Sequence, residues 1–225
     1  IIHNSPDPVV KAVDIYINNK LLLDDFAFRT ASPFVDIPTN RDVEVIIADR
    51  NSNNGSNALA QYSFSLSEGG SYIIVASGIV NANDFDPVKP FSLEAFPTAR
   101  EKSLMDGYTD VLVYHGSTDA PTVDVFETGQ GAGLIIDDLS YSDFSGYLEL
   151  PTNDYILELR NESGTSAIAS YSAPLESLRL KGEALTVLAS GFIYPENNKN
   201  GAGFGLYVAL PKGGNLIPLP QVVNE

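Results

Sequence analysis

The sequence predicts an all-β protein made of two tandem immunoglobulin-like antiparallel β-sandwiches, each with about seven strands. Three observations lead to this fold class: the length of 225 residues, an internal duplication, and short strand-like runs separated by turn residues. One such sandwich has roughly 100 residues, so the chain has the length of two. The hydrophobic fraction of 44% is ordinary for a globular protein, and each half is long enough to bury its own core.

The duplication consists of six pairs of matching segments, with one member of each pair in each half of the chain. The pairs are residues 3–7 with 115–119, 13–16 with 123–126, 23–26 with 136–139, 37–40 with 150–153, 60–63 with 169–172, and 76–79 with 189–192. The spacing between partners lies between 109 and 113 residues. A repeat of this kind indicates one structural unit used twice.

Strand-like runs recur along both halves. Residues 43–47 and 155–159 are rich in β-forming side chains, and residues 71–76 and 185–189 are nearly continuous apolar runs, as in central strands. Residues 13–17 alternate with period two, which predicts one buried face with Asp14 on the other. Turn residues separate the runs at 18–19, 38–40, 52–55, 68–70 and 161–164. Several short strands at intervals of about 8–12 residues indicate a sandwich.

These patterns place copy 1 at residues 1–97 and copy 2 at residues 109–211. Residues 98–108 are predicted to be a linker with at most one helical turn, at 99–105. Residues 175–181 are read as an enlarged loop. The two prolines near the C-terminus predict that residues 212–225 form an extended tail that leaves the sheet.

The charge balance excludes some classes of partner. There are 29 acidic and 13 basic residues, which gives a formal net charge of -16. Nucleic-acid affinity depends on clusters of Lys and Arg, so nucleic-acid binding is disfavoured, as is binding to anionic membranes. No run of 18 apolar residues is present, which argues against direct membrane insertion. The absence of cysteine excludes disulfides, thiolate catalysis and Cys-ligated metals.

Residues 114–125 read Tyr-His-Gly-Ser-Thr-Asp-Ala-Pro-Thr-Val-Asp-Val. This segment resembles the opening motif, roughly His-x-Ser-Pro-Asp-Ala-Pro-x-Val-Asp-Val, of the bacterial family called domain of unknown function 4397. Copy 1 resembles it through residues 3–7 and 13–14, although its intervening loop is two residues longer. The Ala-Ser-Gly patterns at 76–78 and 189–191 add to the resemblance. It implies an exported, often multidomain protein at the cell surface, and it implies no activity. We therefore expect an extracellular or cell-surface location, with a signal peptide removed.

Polar residues of the two motifs are the candidate site residues. They are His3, Ser5, Asp7 and Asp14 in copy 1, and His115, Ser117, Asp119 and Asp124 in copy 2. A Ser-His-Asp hydrolase could be drawn from them, but the chain has no Gly-x-Ser-x-Gly elbow and no evident oxyanion loop. Histidines at strand ends usually bond to the adjacent turn, so a structural role is favoured and no catalytic residue is assigned.

Acidic residues elsewhere have similar alternative readings. The pairs Asp24-Asp25 and Asp137-Asp138 are predicted to cap short turns. Asp84 and Asp86 lie in a loop rich in oxygen ligands, which makes them the candidates for a calcium site. No EF-hand pattern is present, and the corresponding loop of copy 2 lacks the acids. No metal or cofactor is otherwise expected.

The function expected from the sequence is non-enzymatic. The chain is read as a structural spacer or an adhesion module of a larger surface protein or filament. Its partners would be other surface proteins, neighbouring domains of its own chain, or further copies of itself. The alternatives are a ligand-binding module for glycan or calcium and, less favoured, a hydrolase acting through His115, Ser117 and Asp124.

Overall fold

The structure is a computed structural model that describes residues 1–38, 41–53, 55 and 57–223. Its regular elements are nineteen strands and two short 3-10 helices, Pro8–Val10 and Pro195–Asn197. The predicted all-β class is confirmed, and the strands form two sandwiches. Parts of the predicted turns at 38–40 and 52–55, and the end of the tail at 224–225, lie outside the described residues. No helix within the described chain is long and apolar enough to cross a membrane.

Copy 1 consists of two stacked sheets. The outer sheet has the order β3-β2-β5-β6, and the inner sheet has the order β17-β4-β1-β7-β8. The outer strands are β2 (Ala12–Ile17), β3 (Lys20–Ala27), β5 (Val43–Asp49) and β6 (Ala58–Phe64). The inner strands are β1 (Ile2–His3), β4 (Thr30–Ala31), β7 (Tyr72–Ser77) and β8 (Ser92–Pro97), joined by β17 (Gly214–Asn215) from the far end of the chain.

Copy 2 repeats this arrangement with longer strands. Its outer sheet has the order β11-β10-β13-β14-β19, and its inner sheet has the order β12-β9-β15-β16-β18. The outer strands are β10 (Val123–Glu127), β11 (Gly133–Leu139), β13 (Asp154–Asn161), β14 (Ala167–Pro174) and β19 (Gln221–Val222). The inner strands are β9 (Tyr108–His115), β12 (Phe144–Pro151), β15 (Ala184–Ser190), β16 (Gly205–Ala209) and β18 (Ile217–Pro218).

Within the described residues, each copy contains one parallel strand pair, whereas the sequence predicted antiparallel sandwiches. In copy 1, β1 runs parallel to β7, and in copy 2, β9 runs parallel to β15. Every residue of β15 is buried, because apolar layers cover both faces of this central strand. A strand buried on both faces reads as a continuous apolar run, and that is how residues 185–189 read.

The alternating residues of β2 do not separate a buried face from an exposed one. Val13 and Ile15 enter the core of copy 1 as predicted, but Asp14 is also buried, at 2% exposure, and Tyr16 lies beside it. The loop after β5 covers this second face. The Ser52 hydroxyl donates to the Asp14 carboxylate at 2.9 Å and also bonds to the Tyr16 hydroxyl at 3.0 Å.

The inner sheets of the two copies pack against each other, so the molecule has four layers. A third apolar cluster lies between them, distinct from the two sandwich cores. Its buried members are Ile2, Ala31, Ile73 and Val75 from copy 1, and Leu112, Tyr114, Leu188, Ala209 and Leu216 from copy 2 and the tail. Apolar burial of this extent makes the two copies one packed unit.

Arg29 connects the copies through polar contacts at one edge of this interface. Its guanidinium donates to the Ser190 hydroxyl at 3.0 Å and to the carbonyl oxygens of Ser190 and Gly203 at 3.1 and 2.7 Å. The guanidinium carbon also lies 3.9 Å from the centre of the Tyr207 ring. A planar cation with several donors suits this combination of carbonyl acceptors and an aromatic face.

The predicted linker contains no helical turn. Residues 98–107 form bends and turns, and Arg100 bonds to Asp110 and Glu149 at 2.8 Å each. Asp110 is completely buried and also accepts the Ser103 hydroxyl at 2.7 Å. These contacts attach the connection to copy 2.

The C-terminal segment is extended, but it does not leave the sheets as predicted. It pairs in turn with β4 of copy 1, with β16 and with β14. Pro218 and Pro220 are tolerated there because strands at a sheet edge need backbone donors on one side only.

We expect the interface to make the two copies unfold in one transition. Arg29→Ala removes three hydrogen bonds and a cation–π contact, and should lower the free energy of unfolding by about 2–3 kcal/mol. Urea denaturation measures this change. The control is Arg50→Ala, because Arg50 forms an exposed ion pair with Asp25 and should matter by less than about 0.5 kcal/mol. Equal effects of the two substitutions would contradict this account of the interface.

Candidate functional site

The two histidines of the motifs occupy equivalent, fully buried positions at the ends of β1 and β9. Each is 1% exposed. His3 Nε2 donates to the carbonyl oxygen of Val10 at 2.6 Å, and His115 Nε2 donates to that of Pro121 at 3.0 Å. A carbonyl oxygen can only accept, so Nε2 carries the proton in both rings. The Nδ1 atoms are buried without a hydrogen-bond partner, so neither ring has an atom that a substrate reaches.

Burial keeps both imidazoles neutral. Desolvation lowers the pKa of His3 to about 4, against the opposing effect of its bond to Val10. Desolvation also lowers the pKa of His115, and its bond to Pro121 opposes the shift. A charged imidazolium would place a second N–H in a site without an acceptor.

No hydrogen bond joins the motif serines to the histidines among the described residues. Ser5 donates to the carbonyl oxygen of Gly78 at 2.6 Å, and Ser117 donates to that of Gly191 at 2.7 Å. Both glycines have left-handed backbones, with φ of 81° and 88°. A Cβ on Gly78 would lie 2.2 Å from the Pro90 carbonyl oxygen, and one on Gly191 would lie 2.3 Å from that of Gly203. The repeated Ala-Ser-Gly pattern is therefore explained by a close chain crossing.

Asp7 and Asp119 act as acceptors for neighbouring backbone groups. Asp7 accepts the N–H groups of Val9, Val80 and Asn81 at 2.9–3.1 Å. Asp119 accepts those of Ile193 and Tyr194, both at 2.9 Å. The loop that follows β7 or β15 is thus fastened to the motif in each copy. A carboxylate saturated by N–H donors stabilises this loop and has little capacity left for a ligand.

Asp14 and Asp124 hold a bulge in the neighbouring strand. Asp14 accepts the N–H of Asp25 at 3.1 Å, and Asp124 accepts that of Asp138 at 2.9 Å. Asp25 and Asp138 both have φ of 51°, and the strand register shifts at these points. The pairs Asp24-Asp25 and Asp137-Asp138 therefore lie within β3 and β11, and the prediction that they cap turns was wrong. A bulge residue in the left-handed region interrupts a strand without ending it.

The acidic loop singled out for calcium does not form a compact cluster among the described residues. Asp84 and Asp86 are both exposed, and the backbone of Asp86 is bound at both ends by Asn198 of copy 2, at 3.1 and 3.2 Å. The structure instead brings together Asp124, Asp137 and Asp138, with carboxylate oxygens within 4.8 Å of one another. Copy 1 has the equivalent acids Asp14, Asp24 and Asp25, but they form no such cluster among the described residues, and Asp25 pairs there with Arg50.

Glu127 was not singled out from the sequence. It is 2% exposed and accepts N–H groups from four residues, namely Gly129, Gln130, Ala132 and Ile156. Burial alone would raise the pKa of Glu127, but these donors together lower it. The equivalent position of copy 1 is Ile17, so the repeat gave no signal for it. Its role is to close the turn after β10.

The buried histidines predict a loss of stability in mild acid. The unfolded chain binds a proton at His3 below pH 6.5, whereas the folded chain does so only near pH 4. The free energy of unfolding should therefore fall through this interval by roughly 1.4 kcal/mol per pH unit because of His3, and His115, whose pKa is also lowered, adds a contribution of the same sign. His3→Gln should reduce the slope by about one proton in urea denaturation at several pH values. An unchanged slope would refute the assignment.

The structural role of the motif also predicts a contrast between two aspartates. Asp7→Ala leaves three N–H groups without their acceptor, and should lower the free energy of unfolding by about 2–4 kcal/mol. Asp24→Ala is the control, because Asp24 is exposed, and its effect should stay within about 0.5 kcal/mol. Thermal and urea denaturation measure both. A mild effect at Asp7 would favour a functional role for its carboxylate.

Comparison with known proteins identifies the family to which this chain belongs. No curated protein matches the chain. One solved structure, of a streptococcal virulence factor that binds alpha-glucan, has 11% identity and a TM-score of 0.25 over 83% of this chain and 90% of its own. A second, on family 41 carbohydrate-binding modules from streptococcal virulence factors, has 12% identity and a TM-score of 0.26 over 83% and 91%. Structural similarity at this level supports no conclusion about this chain. Residues 1–93 and 109–199 each match one family, so the chain belongs to the family described as domain of unknown function (DUF4397).

Proposed function

We propose that this chain is a non-catalytic structural module: a rigid spacer, at the cell surface or outside the cell, that presents loops and sheet edges to neighbouring proteins or domains. The proposal rests on the hydrogen bonds that the motif side chains form. The hydrogen bonds that His3, Ser5, Asp7 and their equivalents in copy 2 form are made within the protein, mostly to backbone atoms. Groups engaged in this way maintain loop geometry.

The same geometry argues against a hydrolase. A serine nucleophile needs a base that accepts its proton, and a histidine base needs an unprotonated nitrogen directed at that serine. Ser117 donates to Gly191, and the protonated Nε2 of His115 donates to Pro121. The remaining Nδ1 atom of His115 is buried without a partner. This arrangement fits a structural serine and a structural histidine.

Rigidity follows from contacts between the copies at separated places. Asn198 of copy 2 bonds to the backbone of Asp86 in copy 1 on one side of the interface. Ser77 and Tyr114 bond at 2.8 Å between the inner sheets. Together with Arg29, these contacts oppose a hinge movement in more than one direction. A fixed angle between the two copies suits a spacer, because the position of one end of the module then determines the position of the other end.

The rigid arrangement is tested by measuring distances between spin labels. The chain has no cysteine, so Leu21→Cys and Leu134→Cys provide one label on the outer sheet of each copy. Both side chains are about half exposed, at 50% and 47%, so labels should be tolerated. We expect a single narrow distance distribution in double electron–electron resonance.

The control pair is Leu134→Cys with Ile168→Cys, because both positions lie on the outer sheet of copy 2 and Ile168 is also exposed. The pair that spans the copies should give a distribution no broader than this one. A broad or two-peaked distribution across the copies alone would show a hinge, and would overturn the proposal of a rigid spacer.

A further inference from the structure

An acidic groove of about 360 Å³ lies along one side of copy 2, between the last strands of its two sheets. Residues 135–139 of β11 form one wall, and residues 143–145, where β12 begins, form the other. The exposed residues Asp137, Asp138 and Asp143 line the groove, and no basic side chain lines it among the described residues. The groove therefore combines two sheet edges with a concentration of negative charge.

The edge of β12 in this groove has no strand partner among the described residues. β12 is the last strand of the inner sheet, next to β9. The N–H of His115, in β9, donates to the carbonyl oxygen of Asp143 at 3.1 Å. Because the backbone groups of successive residues in a strand point to opposite sides, the N–H and C=O of Phe144 are directed away from β9, toward the open edge. Open backbone groups of this kind are what a sheet presents to an added strand.

A strand covers the equivalent edge of copy 1. There β17 pairs antiparallel with β4, with Gly214 opposite Ala31 and Asn215 opposite Thr30. β17 belongs to the segment that follows copy 2 in the chain, so it is a strand added to copy 1 from outside that copy. This edge position therefore accepts an added extended segment in one copy of the same fold.

The two edges correspond residue by residue. Arg29 and Ser142 immediately precede them, and both have left-handed backbones, with φ of 60° and 70°. In each copy, the N–H of this residue donates to the carbonyl oxygen of the motif histidine at 2.8 Å. Residues 30–31 of copy 1 are thus equivalent to residues 143–144 of copy 2. The difference is chemical, because Thr-Ala in copy 1 is replaced by Asp-Phe in copy 2.

We propose that this groove binds an extended peptide segment with a basic side chain, which adds to β12 in the register that β17 has on β4. In that register, the position of Asn215 lies directly opposite Asp143. Side chains opposite each other in antiparallel strands share one face of the sheet, so a Lys or Arg there lies on the side that faces Asp137 and Asp138. The inference rests on the proposed function, in which the module presents sheet edges to neighbouring proteins.

The residue before the basic side chain should be small. In copy 1 this position is Gly214, opposite Ala31. In copy 2 the opposite residue is Phe144, and the centre of its ring lies 4.6 Å from that of Tyr114, in the cluster between the copies. A bulky side chain beside Phe144 would compete for the space that this ring occupies. The segment that fits is therefore a small residue followed by Lys or Arg, which distinguishes it from basic peptides in general.

Peptide titrations observed by NMR test this inference on the full chain. The probe Lys-Gly-Gly-Arg-Leu has the sequence of residues 212–216, with Arg at the position of Asn215. We expect saturable shifts of the amide resonances of residues 142–145, with half-saturation at about 1–10 mM because a short strand forms few hydrogen bonds.

Two control peptides separate the effect of charge from that of strand pairing. Lys-Gly-Gly-Glu-Leu reverses the charge opposite Asp143. Lys-Gly-Pro-Arg-Leu keeps the charge but removes the backbone donor opposite Phe144. Each control should bind at least about fivefold more weakly than the probe.

A substitution in the protein examines the acidic side of the groove. Asp143→Asn removes the charge nearest to the bound base, and should weaken binding of the probe about two- to fivefold. The matched control is Asp24→Asn, because Asp24 is the exposed equivalent of Asp137 in copy 1 and should leave half-saturation unchanged. Should Asp143→Asn fail to fold, raising the salt concentration from about 20 to about 300 mM should weaken binding to the unsubstituted chain in the same way.

Three outcomes would overturn the inference. One is equal half-saturation for the three peptides, or no saturation by the probe below about 50 mM. Another is a set of shifts at residues 30–31 in place of 142–145, which would mean that the probe displaces β17. The third is that about 1 mM Ca²⁺ alone gives the same shifts and the probe adds none, which would mean that the acidic residues hold a cation. None of these outcomes bears on the rigid spacer, because the distance between labels at Leu21 and Leu134 is measured without peptide.

Discussion

The structure depends on the requirement that polar groups buried at the end of a sandwich find hydrogen-bond partners. In each copy, a parallel strand ends at the motif and the chain crosses the end of the sandwich. Asp7 and Asp119 accept the N–H groups of the loop that passes over this crossing. Ser5 and Ser117 take up carbonyl oxygens from the same crossing. The motif is therefore explained by local satisfaction of the backbone.

The two copies have the same fold, but they differ in the residues at the interface between them. Asn4 of copy 1 donates to the carbonyl oxygens of Gly116 and Ala189 in copy 2. Gly116 is the equivalent of Asn4, and a Cβ at Gly116 would lie 2.0 Å from the Asn4 amide nitrogen. One position of the repeat must therefore be small so that the other can cross the interface. Arg29 of copy 1 likewise donates across the interface, to Ser190 and Gly203 of copy 2. The two copies therefore form a specific heterologous interface within one chain, to which each copy contributes different residues.

Sequence reasoning identified the features that are present in both copies, and it missed residues whose role is found in one copy only. The strands and the duplication follow from periodicity, and the bonds of the motif histidines to nearby carbonyl oxygens follow from the rule that buried polar groups have partners. Glu127 has no equivalent acid in copy 1, and Arg29 acts on groups 161 or more residues away. The burial of Asp14 depends on a loop that covers the second face of β2. Local pattern contains no information on such non-local contacts.

The two copies also differ in the length of the strand that ends at the motif, because β1 has two residues and β9 has eight. The connection at residues 98–107 leads directly into β9, and Arg100 within it is fixed to Asp110 of that strand. The polypeptide immediately before the copy 2 motif therefore completes the inner sheet of copy 2.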